Sequence, residues 1–114
     1  MPEECIFCQI SHKTQAAEIV FERGNILVFK DIKPKAPVHL LIVPKKHVES
    51  IISLEAEDKE MVADIVYTAK EVAKQYGLKG YRLSFNVGRE GGQIVDHLHM
   101  HLLGGWEKDS QVSE

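Results

Sequence analysis

Two hydrophobic periods alternate along the chain. Glu18-Ile19-Val20-Phe21-Glu22 and Ile26-Leu27-Val28-Phe29-Lys30-Asp31 are β-branched and aromatic runs separated by Arg23-Gly24-Asn25, the pattern of a hairpin. Lys33 to Pro37, punctuated by Pro34 and Pro37, reads as a loop, and His39 to Val43 as an apolar strand that Pro44 ends. From about Ser53 to Tyr76 the period becomes helical, with Met61, Val62, Ile65, Val66, Ala69, Val72, Ala73 and Tyr76 on one stripe. Acidic residues crowd its start, Lys70 and Lys74 its end, and Gly77 stands where a C-terminal cap belongs. Leu83 to Val87 reads as a strand, Gly88 to Gln93 as a glycine-rich loop, and Val95 to Leu103 as a last strand. Ahead of all these, Ile6 to Ser11 reads as a short helix or turn with Ile6, Phe7 and Ile10 inward. The sum predicts one α+β domain over residues 1–114: a five-stranded antiparallel sheet, one long helix and a short N-terminal helix.

The last strand carries the chemistry. His97-Leu98-His99-Met100-His101-Leu102-Leu103 spaces three histidines by two, so a β conformation puts the imidazoles on one face and Leu98, Met100 and Leu102 on the other. Helical geometry would splay the rings apart. An imidazole row can bind a metal, move protons near neutral pH or attack an electrophile as a neutral ring. Solvated edge histidines are the plain alternative. A water-activating metal held by His97, His99 and His101 is disfavoured, because residues two apart on a strand converge poorly on one ion. Around this row, Asp31 reads as a strand-ending residue or a carboxylate ligand, and His39 as a core histidine or a catalytic one. Gly88, Gly91 and Gly92 permit a loop whose N–H groups turn toward an anion, with Asn86 beside it; an ordinary hairpin loop is the alternative.

Composition narrows the class. With 114 residues and a net charge of −3 from interspersed charges, the chain has no basic face for nucleic acid, and no apolar run is long enough to span a bilayer. Met1-Pro2-Glu3-Glu4 does not resemble a secretion signal, which makes the cytoplasm the expected compartment, and the tail from Glu107 to Glu114 is expected to be poorly ordered. Cys5 and Cys8 form a Cys-x-x-Cys pair: a redox pair, half of a metal site, or two small apolar residues of a helical turn. No strand precedes the pair, which weakens the redox reading.

These motifs together resemble the histidine triad family, Hint-like branch. The His-φ-His-φ-His-φ-φ run at 97–103 carries the likeness, with Asp31-Ile32, Ala36-Pro37-Val38-His39, Val43-Pro44-Lys45-Lys46-His47, Asn86 and Gly91-Gly92-Gln93 in the family order over residues 5 to 105. The resemblance implies a homodimeric hydrolase of purine nucleoside phosphoramidates that releases AMP or GMP, with no organic cofactor. It implies His99 as the nucleophile forming a nucleotidyl-histidine, His101 contacting the phosphate and assisting the leaving group, and His39 beside them. Asp31 would take the ribose hydroxyls. Phe7, Ile10, Phe29 and Ile32 would line the base site, with Asn86, Gly92, Gln93 and Ile94 around the phosphate. A structural zinc held by Cys5, Cys8, His47 and His97 is implied as in zinc-containing members, while His12 matches nothing. The sequence departs from the pattern twice: Ile94 replaces the usual serine, and Trp106-Glu107-Lys108-Asp109 replaces a Trp-Pro-Pro-Gly ending. The first departure admits an alternative reading, a very slow or non-catalytic purine-nucleotide-binding regulator.

Overall fold

A computed structural model describes residues 5–13 and 16–106; Met1 to Glu4 and the tail from Glu107 onward lie outside the described residues. Two helices, α1 (Ile6–Ser11) and α2 (Lys59–Gln75), accompany five strands, β1 (Ile19–Arg23), β2 (Ile26–Lys30), β3 (Val38–Pro44), β4 (Tyr81–Ser84) and β5 (Met100–Gly104). The strands form one sheet in the order β1-β2-β3-β5-β4, and every pairing is antiparallel. Two apolar clusters cover its faces. Val28, Leu40, Ile42, Leu98, Met100 and Leu102 pack against Ile65, Ala69, Val72 and Ala73 of α2. On the opposite face Leu27, Phe29, Leu41 and Val43 meet Phe7 and Ile10 of α1. The alternation within β2 and β3 is what makes both faces apolar: successive residues serve opposite clusters.

The long helix is shorter than the stretch from Ser53 to Tyr76 in which it was expected. Residues 51–53 and 56–58 form single 3₁₀ turns, the second opened by a reciprocal capping box between Glu55 and Asp58, and the α-helix proper runs on from it at Lys59. Gly77, at φ +70°, closes the other end: its N–H donates to the Lys74 carbonyl and that of Leu78 to Ala73, a Schellman arrangement that needs a left-handed residue. Within the stripe Ile65, Ala69, Val72 and Ala73 are buried, whereas Val66 and Tyr76 stay largely exposed, since the sheet covers a narrower arc than the sequence offers. Ile6, expected inward, is also exposed, because one turn of α1 can present only Phe7 and Ile10 to the sheet.

Two strands also end early. β5 begins at Met100, opposite Ile42, instead of at Val95, and β4 ends at Ser84 opposite His101 instead of continuing to Val87. The cause is Pro44. Beyond it the chain leaves β3 and runs beside residues 97–98, so the Leu98 N–H donates to the Val48 carbonyl (2.6 Å) outside any ladder. The facing pattern survives without the ladder: Leu98, Met100 and Leu102 enter the α2 cluster while the imidazoles lie on the α1 side, where Phe7 meets His97 and His99 edge-on.

Candidate active and metal sites

Each histidine has a defined hydrogen-bonding environment, and from it the position of each proton follows. The His99 Nδ1 lies 2.7 Å from the His97 carbonyl, an acceptor only, so Nδ1 carries the proton and Nε2 is left with its lone pair. The Lys35 backbone N–H, a donor only, reaches His39 Nδ1 at 3.0 Å, which places the His39 proton on Nε2. That Nε2–H donates to His101 Nδ1 at 2.9 Å, so His101 in turn carries its proton on Nε2. His101 Nε2 is one of two buried side-chain polar atoms without a partner among the described residues, the other being Ser50 Oγ. A shielded N–H donor therefore stands beside an unprotonated ring nitrogen, with the His99 and His101 ring centroids 5.0 Å apart.

Electrostatics keep these rings neutral. Burial pulls His99 below the ordinary histidine range against the pull of its bond to the His97 carbonyl. Burial, with His99 and His39 adding to it, takes His101 down to about 4. His39 is also lowered by burial, although Asp31, whose Oδ2 lies 3.4 Å from His39 Nε2, favours the charged form. The Asp31–His39 contact is thus an electrostatic approach to a neutral ring whose Nε2–H is given to His101, not an ion pair. Asp31, His39 and His101 lie close enough to suggest a cation site, but the His39 proton on Nε2 occupies the lone pair such a site needs.

The remaining predicted residues take varied positions. Asp31, just past the end of β2, accepts the Lys33 N–H at Oδ1 (2.8 Å), and its side chain stays 20% exposed. Phe7, Ile10 and Phe29 come together but are buried, whereas Ile32 and Ile94 stand in solvent at 86% and 83% exposure. The Asn86 amide lies against Gly92, which adopts φ +89°. The glycine loop does not present its amides to an anion in the expected way. The N–H groups of Gly91, Gly92 and Gln93 bond carbonyls within the loop, and that of Gly88 bonds Gln93 Oε1. Gln93 itself is buried and its amide donates to the Glu49 and Val95 carbonyls, so its side chain pins the loop to the chain before α2. His12, exposed at the end of α1, takes no part.

A second cluster gathers Cys5 at the N-cap of α1, Cys8 within α1, His47 after Pro44, and His97; these four donor atoms lie within 4.8 Å of one another. Cys5 Sγ is 3.4 Å and Cys8 Sγ 3.6 Å from His97 Nδ1, and Cys8 Sγ is 3.3 Å from His47 Nδ1. A tetrahedral ion with sulfur at about 2.3 Å and nitrogen at about 2.05 Å sets S and N about 3.5 Å apart, so the donor set fits. Its orientation fits too: His97 Nε2–H donates to the Pro44 carbonyl at 2.7 Å, which turns the Nδ1 lone pair toward the sulfurs. Burial, reinforced by Cys5, pushes the Cys8 thiol up to about 11, and a cation is what would let it ionise there. His97, His99 and His101 do not form a single donor set among the described residues, and the central ring is free of the cluster.

Comparison with known proteins decides the family. The "Scavenger mRNA decapping enzyme C-term binding" family model matches residues 4–112, and an uncharacterised HIT-like protein of Synechococcus elongatus is 42% identical over 106 residues, 92% of this chain and 93% of that one. The chain belongs to the histidine triad family. Among solved structures, a HIT family hydrolase from Legionella pneumophila superposes with a TM-score of 0.88 at 50% identity, covering 90% of this chain and 94% of the other. A Zn-bound histidine triad family protein from Mycobacterium smegmatis gives 0.81 at 25% identity, with 96% and 80% covered. The chain is thus a HIT-type hydrolase-like protein with four side chains beside its triad that lie close enough to hold a metal. Sequence reasoning found the side chains but missed the groups that orient them: the Lys35 amide, the carbonyls of Pro44 and His97, and the ion pairs Lys45–Glu22 and Lys46–Asp58 that flank His47. The Pro-Lys-Lys-His run is the one signal that could have pointed to the last of these.

Proposed function

We propose that this chain hydrolyses purine nucleoside phosphoramidates, releasing AMP or GMP through a covalent nucleotidyl-His99. The observation that carries the reading is the 2.7 Å bond from His99 Nδ1 to the His97 carbonyl, which leaves Nε2 unprotonated in a ring that burial keeps neutral. The Nε2 lone pair attacks the α-phosphorus and the bond from phosphorus to the leaving nitrogen breaks, that nitrogen taking its proton from solvent while the orphaned Nε2–H of His101 hydrogen-bonds the phosphoryl oxygen and the departing group. Water then attacks the same phosphorus and the bond to His99 breaks, with a proton from the water passing to solvent. Asp31 takes the ribose hydroxyls, Ile32 with the edges of Phe7, Ile10 and Phe29 holds the base, and Asn86, Gly92, Gln93 and Ile94 border the phosphate. Zinc is the ion assigned to Cys5, Cys8, His47 and His97, where its role is to tie α1 to the chain that carries the triad. A homodimer is supported by β4, the outermost strand of the sheet among the described residues, which exposes Tyr81 and Leu83.

The test uses adenosine phosphoramidate and intact-mass measurement of the protein. The wild-type chain should transiently gain one AMP group on His99, and His99→Ala should lose both adduct and hydrolysis; AMP release by the alanine variant would overturn the mechanism. Ile94, a solvent-exposed hydrocarbon where a hydroxyl is usual, favours one second reading, a slow purine-nucleotide-binding regulator. Single-turnover kinetics with a good leaving group separates the two, since a non-catalytic binder gives no adduct at any substrate reactivity.

A further inference from the structure

The four metal donors are not equally accessible. Cys8 and His97 are buried at 3% and 0% exposure, closed in by Phe7 and the sheet, whereas Cys5 and His47 are only half-buried. Those two form one wall of a cavity of about 370 Å³, completed by Ile6, Glu49, Ile94, Val95 and Asp96. Glu49 and Asp96, both exposed, supply the carboxylates of this cavity, and Arg89 holds Asp96 through two hydrogen bonds of 2.8 and 3.0 Å. We propose that this cavity is the exchange port of the metal cluster, through which a divalent cation enters and a competing chelator withdraws it, with Glu49 and Asp96 drawing the cation in. The proposal rests on the zinc assignment above and is independent of the hydrolase reading.

Physical chemistry favours this route over any other. A closed four-donor site exchanges its ion only when an incoming ligand or a departing donor opens it, and the Cys5–His47 edge is where the donors meet open space. Among the described residues at the mouth, two carboxylates against one guanidinium leave a net negative charge, which concentrates cations in a concave site. Neutralising both carboxylates leaves Arg89 alone and reverses that sign. The cost falls on the rate of entry, because none of the three groups is a ligand.

The experiment follows zinc uptake by metal-free protein and zinc release to a colorimetric chelator, both by stopped flow and without nucleotide. Glu49→Gln/Asp96→Asn should slow uptake about tenfold, while Asp64→Asn/Glu71→Gln, the same charge change on α2, should leave it within about twofold. Ile6→Trp, which fills the mouth from an exposed position, should slow chelator-driven release about fivefold. Uptake and release that ignore all three mouth substitutions would overturn the port. A wild-type chain that binds no zinc would overturn it by removing the ligand set, a failure distinct from the first and from any result on His99.

Discussion

Acidification offers the most direct probe of the neutral triad. His101 titrates near 6.5 when unfolded and about 4 in the folded chain, so the unfolded state binds the extra proton more readily and stability is lost as pH falls from 6.5 toward 4. From about pH 7 to about pH 5 the whole shift would remove a little under 2 kcal/mol, and solvent screening of a partly exposed ring reduces this to about 1 kcal/mol. Other groups, the metal ligands among them, also respond to acid. The informative quantity is therefore a double difference: urea unfolding of wild type and His101→Phe at the two pH values. Wild type should lose about 1 kcal/mol more than the variant between them. Equal losses, or a larger loss by the variant, would show that His101 is not held neutral by its surroundings, and the assignment of its proton to Nε2 would fall with it.

Three further outcomes follow from the same geometry. Gln93→Ala strands the Gly88 N–H and the Glu49 and Val95 carbonyls, so chemical denaturation should show a loss of about 2–4 kcal/mol, with KM rising more than kcat falls if the loop borders the phosphate. Chelation should lower the melting temperature before it abolishes chemistry in protein that remains folded, because His99 is not among the four donors; loss of activity with an unchanged melting curve would assign the ion to catalysis instead. Leu98→Ala, at a position 2% exposed against the α2 cluster, should cost about 3 kcal/mol in urea unfolding, and a cost under about 1 kcal/mol would contradict the burial.

Much of the site was legible because it depends on short-range periodicity. A spacing of two puts Leu98, Met100 and Leu102 on one face and three imidazoles on the other whether or not a ladder forms, which is why the facing held although β5 starts only at Met100. The hairpin, the apolar run of β3 and the glycine stop of α2 are local in the same sense. The direction of the glycine-loop amides was less legible: Gly88 and Gly92 do adopt positive φ, but the N–H groups of Gly91, Gly92 and Gln93 go to carbonyls of the loop and that of Gly88 to the side chain of Gln93, which reaches Glu49, 44 residues away.

By itself, then, the order of residues determined which atoms are available: imidazoles sorted onto one side of a strand, two thiols on a single turn, apolar positions in helical and extended registers. Only the tertiary structure decided where the protons sit and which histidine serves which site. The contacts responsible join residues 53, 62 and 92 positions apart: Pro44 with His97, His39 with His101, Cys5 with His97. Periodicity is a property of neighbouring residues, whereas a tautomer answers to whatever donor or acceptor the fold brings within about 3 Å of the ring.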